Sequence, residues 1–135
     1  MVMFDDAWPF TTVRFAAPVT FSQVHAVIEC FDAWLVRGER FVVDVRLGNA
    51  FSTRAEAPVA QVLLGWARLR RREVMHRCGG IAWVAAPGRD TSLRLRFYAE
   101  AADALDCPIR VFTCRVDAGA WLRALLAPER IAPAP

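Results

Sequence analysis

The sequence predicts an α/β domain in which about four helices cover a mostly parallel sheet of about five strands. Strand-like apolar runs alternate along the chain with segments whose apolar residues recur at helical spacing. In addition, 56% of the 135 residues are hydrophobic, which suffices for one buried core in a chain of this length. We therefore expect a single domain over residues 1–127 and a frayed tail, rich in proline and alanine, over residues 128–135.

The composition excludes several classes of protein. The net charge of +3 comes from 17 basic and 14 acidic residues that are interspersed, so we expect no nucleic-acid partner. No apolar run approaches the roughly 18 residues that cross a bilayer. Asp5 and Asp6 stand where a signal peptide has basic residues, so we expect no transmembrane segment and a cytoplasmic location. The cysteines lack CxxC spacing and are expected to be reduced core thiols: Cys30, Cys78, Cys107 and Cys114.

The N-terminal residues predict a β-hairpin. Two short extended segments, around Val2 to Phe4 and Phe10 to Phe15, flank a stretch of turn composition from Asp5 to Pro9. Two strands joined by so short a connection are expected to pair antiparallel.

A first helix is predicted after the hairpin. Thr20 and Gln23 form a capping box, so the helix should begin at about Phe21, and Arg37 and Gly38 should end it. Its inner face should consist of apolar residues at three- and four-residue spacing: Val24, Val27, Ile28, Phe31, Trp34 and Leu35.

The middle of the chain predicts a central strand and a long helix. Phe41 to Val45 is a nearly unbroken apolar run, typical of a strand covered on both faces. Thr53 and Glu56 form a second capping box, and helical spacing continues from there to about Arg77. The glycine pair Gly79–Gly80 is expected to end this helix.

Two further strands and two further helices are predicted in the remaining residues. Ile81 to Ala86 is a buried strand, and Asp90 or Thr91 can cap a third helix. Ile109 to Cys114 is the last strand, and Asp117 can cap a short final helix. This alternation implies right-handed crossovers between parallel strands.

The order of these elements carries a resemblance to a known family. FVVDVR precedes a loop, CGGIAWVA forms the middle strand, and PIRVFTCRVDAGAWL ends the domain. This pattern resembles the STAS fold of anti-sigma-factor antagonists, above all the divergent SpoIIAA-like proteins, and covers the chain from about Phe10 to Leu126. The resemblance implies a bacterial regulatory protein that takes part in signalling by binding another protein.

The resemblance also implies a candidate switch in the loop after the central strand. In anti-sigma-factor antagonists an Asp at the strand end is followed by an Asp-Ser-x-Gly motif, whose Ser or Thr is phosphorylated at the start of the next helix. Asp44 is similar to the strand-end Asp, Ser52 stands where the motif has Asp, and Thr53 stands at the phosphorylated position. The motif's Gly is absent, although Arg54 could contact a phosphate at this helix start. The alternative is that Thr53 caps the helix and Ser52 helps the turn.

A second candidate is the arginine-rich segment RLRRREVMHR, which follows Trp66. Trp66, Arg70 and Arg71 would form a surface for a partner protein with an acidic face. The alternative is a helix whose charged face is solvated and whose tryptophan belongs to the core.

An enzyme would need a polar cluster made from Asp44, Ser52, His76 or Cys78 in one pocket. No motif for a metal, a cofactor or a phosphate-binding loop is present in the sequence. We therefore expect no enzymatic activity, no cofactor and no metal site.

The function predicted from these observations is a non-enzymatic regulatory module. It would bind a protein partner, a second copy of the chain included, through the loop and helix that begin at Ser52. The alternative is a carrier or sensor of the same fold, which would hold an apolar or anionic small ligand of lipid type near the helix of Trp66.

Overall fold

The computed structural model describes residues 3–15, 20–48, 57–85, 100 and 103–127. In these residues strands and helices follow one another along the chain. The elements are β1 (Met3–Ala7), β2 (Phe10–Arg14), α1 (Phe21–Val36), β3 (Phe41–Gly48), α2 (Ala57–Leu69), α3 (Arg71–Arg77), β4 (Cys78–Ala85), β5 (Ile109–Phe112) and α4 (Arg115–Leu126).

The strands form one sheet in the order β1-β2-β3-β4-β5. β1 pairs antiparallel with β2, and β2, β3, β4 and β5 run parallel to one another. The predicted hairpin is confirmed, but its turn is shorter than predicted. Asp5, Asp6 and Ala7 belong to β1, and only Trp8 and Pro9 form the turn. The predicted α/β class with a mostly parallel sheet is therefore confirmed.

β3 is the central strand, and it is covered on both faces. Phe41, Val43 and Val45 point into a large apolar cluster with residues of α1, α2 and α3. Val42 belongs to a smaller cluster that includes Ala118 and Leu122 of α4. Because successive side chains alternate between the faces of a strand, α1, α2 and α3 cover one face of the sheet and α4 covers the other.

α1 begins and ends where the sequence predicts. Thr20 has extended backbone angles, and its hydroxyl accepts a hydrogen bond from the backbone N–H of Gln23 at 3.2 Å. At the other end, Gly38 has φ of +73°, a conformation that glycine adopts without a steric penalty. The predicted inner face is buried at four of its positions, Val24, Val27, Phe31 and Trp34, and Ile28 and Leu35 are half-buried.

The helix predicted to continue to Arg77 is interrupted at Arg70. Arg70 has φ −100° and ψ 11°, outside the helical range, and separates α2 from α3. Arginines dominate the chain between Ala67 and Val74, and Leu69 is 77% exposed, so this stretch offers no apolar side chain to the core. The break allows Val74, which is 0% exposed, to pack in the core before β4 begins.

The helix ends at Arg77, as the sequence predicts, but Gly79 and Gly80, which the sequence assigns to the helix stop, both lie within β4. A Cβ at Gly80 would collide with Cδ1 of Leu125 and would lie 3.4 Å from the ring of Trp121. Gly80 therefore lets α4 approach the sheet closely, which is a packing role that a turn signal does not indicate.

Several other boundaries differ from the predictions. The last strand ends at Phe112, and α4 starts at Arg115 with Cys114 as its N-cap, so Asp117 lies in the first helical turn. Of the predicted third helix, Glu100, Asp103 and Ala104 are helical. The rest of that helix, the Thr53–Glu56 capping box and the C-terminal tail lie outside the described residues.

We expect Phe41→Ala to lower the free energy of unfolding by about 3–5 kcal/mol, because truncating a buried aromatic side chain leaves a cavity. Phe41 is 0% exposed, and its ring packs against Trp8, Phe31 and Trp34 at centroid distances of 5.4, 5.6 and 6.0 Å. Urea denaturation followed by circular dichroism measures the change.

Val116→Ala is the matched control, because Val116 is 76% exposed on α4. It should change the free energy of unfolding by no more than about 0.5 kcal/mol. Equal effects of the two substitutions would contradict the placement of Phe41 in the core.

Candidate functional site

The sequence predicts that Asp44 ends its strand. In the structure, Asp44 lies in the middle of β3. β3 continues to Gly48, and Asp44 pairs in register with Thr12 of β2 and Ala82 of β4. Its side chain shares a sheet face with Val42, the face that α4 covers. Only 2% of Asp44 is exposed, so the carboxylate is part of the interior of the protein.

Arg46 holds one oxygen of this carboxylate. Nε and Nη2 of Arg46 both lie 3.2 Å from Oδ2 of Asp44. The two side chains are neighbours on one face because they are two residues apart in a strand. Among the described residues, Oδ1 of Asp44 has no hydrogen-bond partner.

Burial raises the pKa of Asp44 above its usual value, despite three arginines that act in the opposite direction. The largest opposing effect comes from Arg46, followed by the charges of Arg14 and Arg115. Arg14 is next to Arg46 in the register of β2 and β3, and Arg115 is the first residue of α4. A buried carboxylate and three arginines are thus grouped on the α4 face of the sheet.

Ser52, Thr53 and Arg54 lie outside the described residues, so their position relative to Asp44 stays a prediction. The residues that do accompany Asp44 were missed by sequence reasoning. Arg46 could have been found, since a charged pair two residues apart in a strand shares a face. Arg14 and Arg115 could not, because only the strand register and the path of α4 bring them near.

Of the three residues predicted to form a partner surface, Trp66 and Arg70 are held by Asp32, and Arg71 is exposed. Nε1 of Trp66 donates a hydrogen bond to Oδ1 of Asp32 at 2.9 Å, and Nε of Arg70 lies 3.5 Å from the same oxygen. Asp32 therefore ties α1 to the end of α2 and to the helix break. Arg71 is more exposed, and its Nη2 lies 3.7 Å from Oδ2 of Asp106. No pattern in the sequence indicated a structural role for Asp32.

Two of the cavities that the described residues line are on the side of the sheet that α1, α2 and α3 cover. One is entirely apolar, has a volume of about 40 Å³, and is bordered by Phe31, Trp66 and Trp83. The other is a polar cleft of about 290 Å³. It is lined by Arg68, Arg71, Glu100, Asp103 and Ala104.

An enzyme would need Asp44, Ser52, His76 or Cys78 in one pocket. Those of these residues that the structure describes do not lie together. Cys78 belongs to the cluster on the α1 side of the sheet, whereas Asp44 lies on the opposite face, and His76 is exposed on α3. Burial raises the pKa of Cys78 well above its usual value, so its thiol is protonated and a weak nucleophile. Within the described part of the chain, no three potential metal-ligating side chains form a group.

The chain matches no family model, no curated protein and no solved structure. Across the described residues, none of the helices is both long enough and apolar enough to span a membrane.

We expect the hydrogen bond between Asp32 and Trp66 to give a measurable coupling energy in a double-mutant cycle. Asp32→Ala and Trp66→Phe should each lower the free energy of unfolding by about 1–2 kcal/mol, since each removes one partner of a hydrogen bond. The double variant should lose less than the sum by about 1 kcal/mol. Chemical denaturation of the three variants and the wild type completes the cycle.

Arg71→Ala is the control for this cycle, because its ion pair with Asp106 is exposed. It should cost less than about 1 kcal/mol. Additive effects of Asp32→Ala and Trp66→Phe would contradict the proposed tie between α1 and α2.

We expect the stability of the wild type relative to Asp44→Asn to be greatest in acid and to fall as the pH rises. The folded-state pKa lies above the unfolded value of 3.8, so the folded chain binds the proton more tightly. The stability gained from this tighter proton binding is fully present below pH 3.8 and is lost as the pH rises through the folded-state pKa. Urea denaturation of the wild type and of Asp44→Asn over a pH series measures the difference.

The free energy of unfolding of the wild type minus that of Asp44→Asn should therefore fall as the pH rises above 3.8 and then become constant. A difference that rises over the same interval would mean that the attraction of the three arginines exceeds the cost of burial.

Proposed function

We propose that the protein is a regulatory protein-interaction module of STAS type, similar to SpoIIAA-like anti-sigma-factor antagonists. The observation that carries the proposal is the position of β3. β3 is the middle strand of the sheet and ends at Gly48, and residues 49–56 join it to α2, which is described from Ala57. This connection leaves the carboxyl edge of a parallel sheet, where binding loops concentrate, and it contains Ser52, Thr53 and Arg54.

The arrangement of the elements supports the same proposal. An antiparallel hairpin comes first, and strands and helices then alternate. α1, α2 and α3 cover one face of the sheet, and α4 covers the other. This order is the pattern on which the resemblance to anti-sigma-factor antagonists rests. We propose that the module acts in the cytoplasm, by binding rather than by catalysis.

In this proposal the loop of Ser52 and Thr53 is the contact site for a partner protein. A phosphoryl group on Thr53 would add negative charge at the start of α2, next to Arg54. Arg71, exposed at the start of α3 near the opposite edge of the sheet, would be a separate contact for an acidic patch of a partner. A second copy of the chain is one candidate for that partner.

The alternative is a carrier or sensor for an apolar or anionic small ligand near Trp66, and the size of the apolar cavity argues against the apolar ligand. Pockets for small ligands usually have volumes of about 300–1,000 Å³. The apolar cavity bordered by Trp66 in the described residues has about 40 Å³. This difference favours the interaction module.

We expect a glutamate pair at Ser52 and Thr53 to abolish partner binding, because it adds charge where a phosphoryl group would. The measurement is affinity capture from the lysate of the native host, quantified by mass spectrometry and repeated with the purified partner by calorimetry. The wild type and Ser52→Ala/Thr53→Ala should retain the same partner. Ser52→Glu/Thr53→Glu should lose it, with an unchanged melting temperature.

Val116→Glu is the matched control, since it adds a negative charge at an exposed position of α4 on the other face of the sheet. It should leave binding unchanged. A partner retained equally by the alanine and glutamate pairs would mean that Ser52 and Thr53 only shape the helix start. A co-purified apolar ligand in native mass spectrometry, with no protein partner, would favour the carrier.

A further inference from the structure

Two of the four cysteines lie at the same end of neighbouring strands. Cys78 is the first residue of β4, and Cys107 comes two residues before β5. Ile81 and Ile109 pair in register, and the N–H of Ile81 donates a hydrogen bond to the carbonyl of Pro108 at 2.9 Å. This register places Cys107 beside the first residues of β4.

The two cysteines also lie in one apolar region. Cys78 belongs to the buried cluster on the α1 side of the sheet, and Cys107 packs against that cluster. Sγ of Cys78 lies 3.6 Å from the carbonyl oxygen of Gly80, to which it donates. Because Ile81 pairs with Ile109, the register sets Cys107 opposite Gly79, one residue from Cys78. Neighbouring strands are about 4.8 Å apart and a disulfide spans Cα atoms separated by roughly 4.4–6.8 Å, so a neighbour one residue out of register is within reach of such a bond.

The two thiols differ in their access to solvent. Cys107 is half-buried, whereas Cys78 is 3% exposed. Burial and the neighbouring Cys107 raise the pKa of Cys78, and the charge of Arg40 opposes this effect only in part. A dissolved oxidant therefore meets Cys107 first, and Cys78 can react only with Sγ of Cys107 once that sulfur is part of a mixed disulfide.

We propose that Cys78 and Cys107 form a reversible dithiol–disulfide site whose oxidant is a small-molecule disulfide. Sγ of Cys107, as the thiolate, attacks one sulfur of the disulfide, whose S–S bond breaks and releases one thiol that takes up the proton. Sγ of Cys78 then loses its proton and attacks Sγ of Cys107, which releases the second thiol. In total, two protein thiols are oxidised to one disulfide, and the small disulfide is reduced to two thiols.

The product would join the start of β4 to the residues that enter β5. Because these strands are already paired, the bond forms between neighbours and requires little rearrangement of the sheet. The site lies at the amino ends of β4 and β5, the edge opposite to the loop of Ser52. The inference is therefore independent of the proposed function.

The test is incubation of the reduced full chain with oxidised glutathione, followed by mass spectrometry and peptide mapping without reductant. The wild type should yield one linked pair of peptides that contain Cys78 and Cys107, lighter than the two reduced peptides by about 2 Da, the mass of two hydrogens. Reduced glutathione in excess should restore the original mass. Cys78→Ala should stop at the intermediate and keep one glutathione on Cys107.

Cys30→Ser/Cys114→Ser is the matched control, because it keeps only the two proposed cysteines. It should give the same linked peptides as the wild type. Circular dichroism establishes that this variant is folded, so the test does not depend on the buried Cys78 tolerating substitution. A folded control variant that forms no link, or a wild-type link between other cysteines, would overturn the proposal.

Discussion

The structure depends on one constraint, which is that β3 must be buried on both faces. Phe41, Val42, Val43 and Asp44 are four successive residues with exposures of 0, 0, 0 and 2%. A strand of this kind requires helices on both sides of the sheet. Right-handed crossovers carry α1 and the α2–α3 pair to one side, so α4 is the helix that covers the other side in the described chain. The close approach at Gly80 and the aromatic cluster around Phe41 follow from this arrangement.

The same constraint gives Asp44 its unusual environment. A carboxylate in a strand that is buried on both faces loses its hydration, and one ion pair compensates only in part. Arg46 satisfies Oδ2, and Arg14 and Arg115 contribute charge from the neighbouring strand and from the start of α4. The strand that leads to the proposed partner loop therefore carries a buried carboxyl group in its middle.

Much of the fold could be predicted from local signals. The apolar run from Phe41 and the cap at Thr20 identified β3 and α1, because burial on both faces and helix capping leave direct traces in the sequence. The break at Arg70 could not be predicted, since arginine is a good helix former and the break serves the burial of Val74. The strand position of Gly80 depends on Leu125, a residue far along the chain. The grouping of Asp44 with Arg14 and Arg115 depends likewise on strand register.

The sequential strand order has a consequence for how the chain folds. Each parallel strand pairs with the strand nearest to it along the chain, so a pairing closes only the loop of the intervening segment, and its entropic cost is modest for a parallel sheet. The hairpin of β1 and β2 needs the shortest loop and can form first. α4 differs, because its apolar residues pack on Val42 of β3 and on Ala82 and Val84 of β4. That helix has no surface to dock on until both strands have paired, so the second face of the sheet is the last to close.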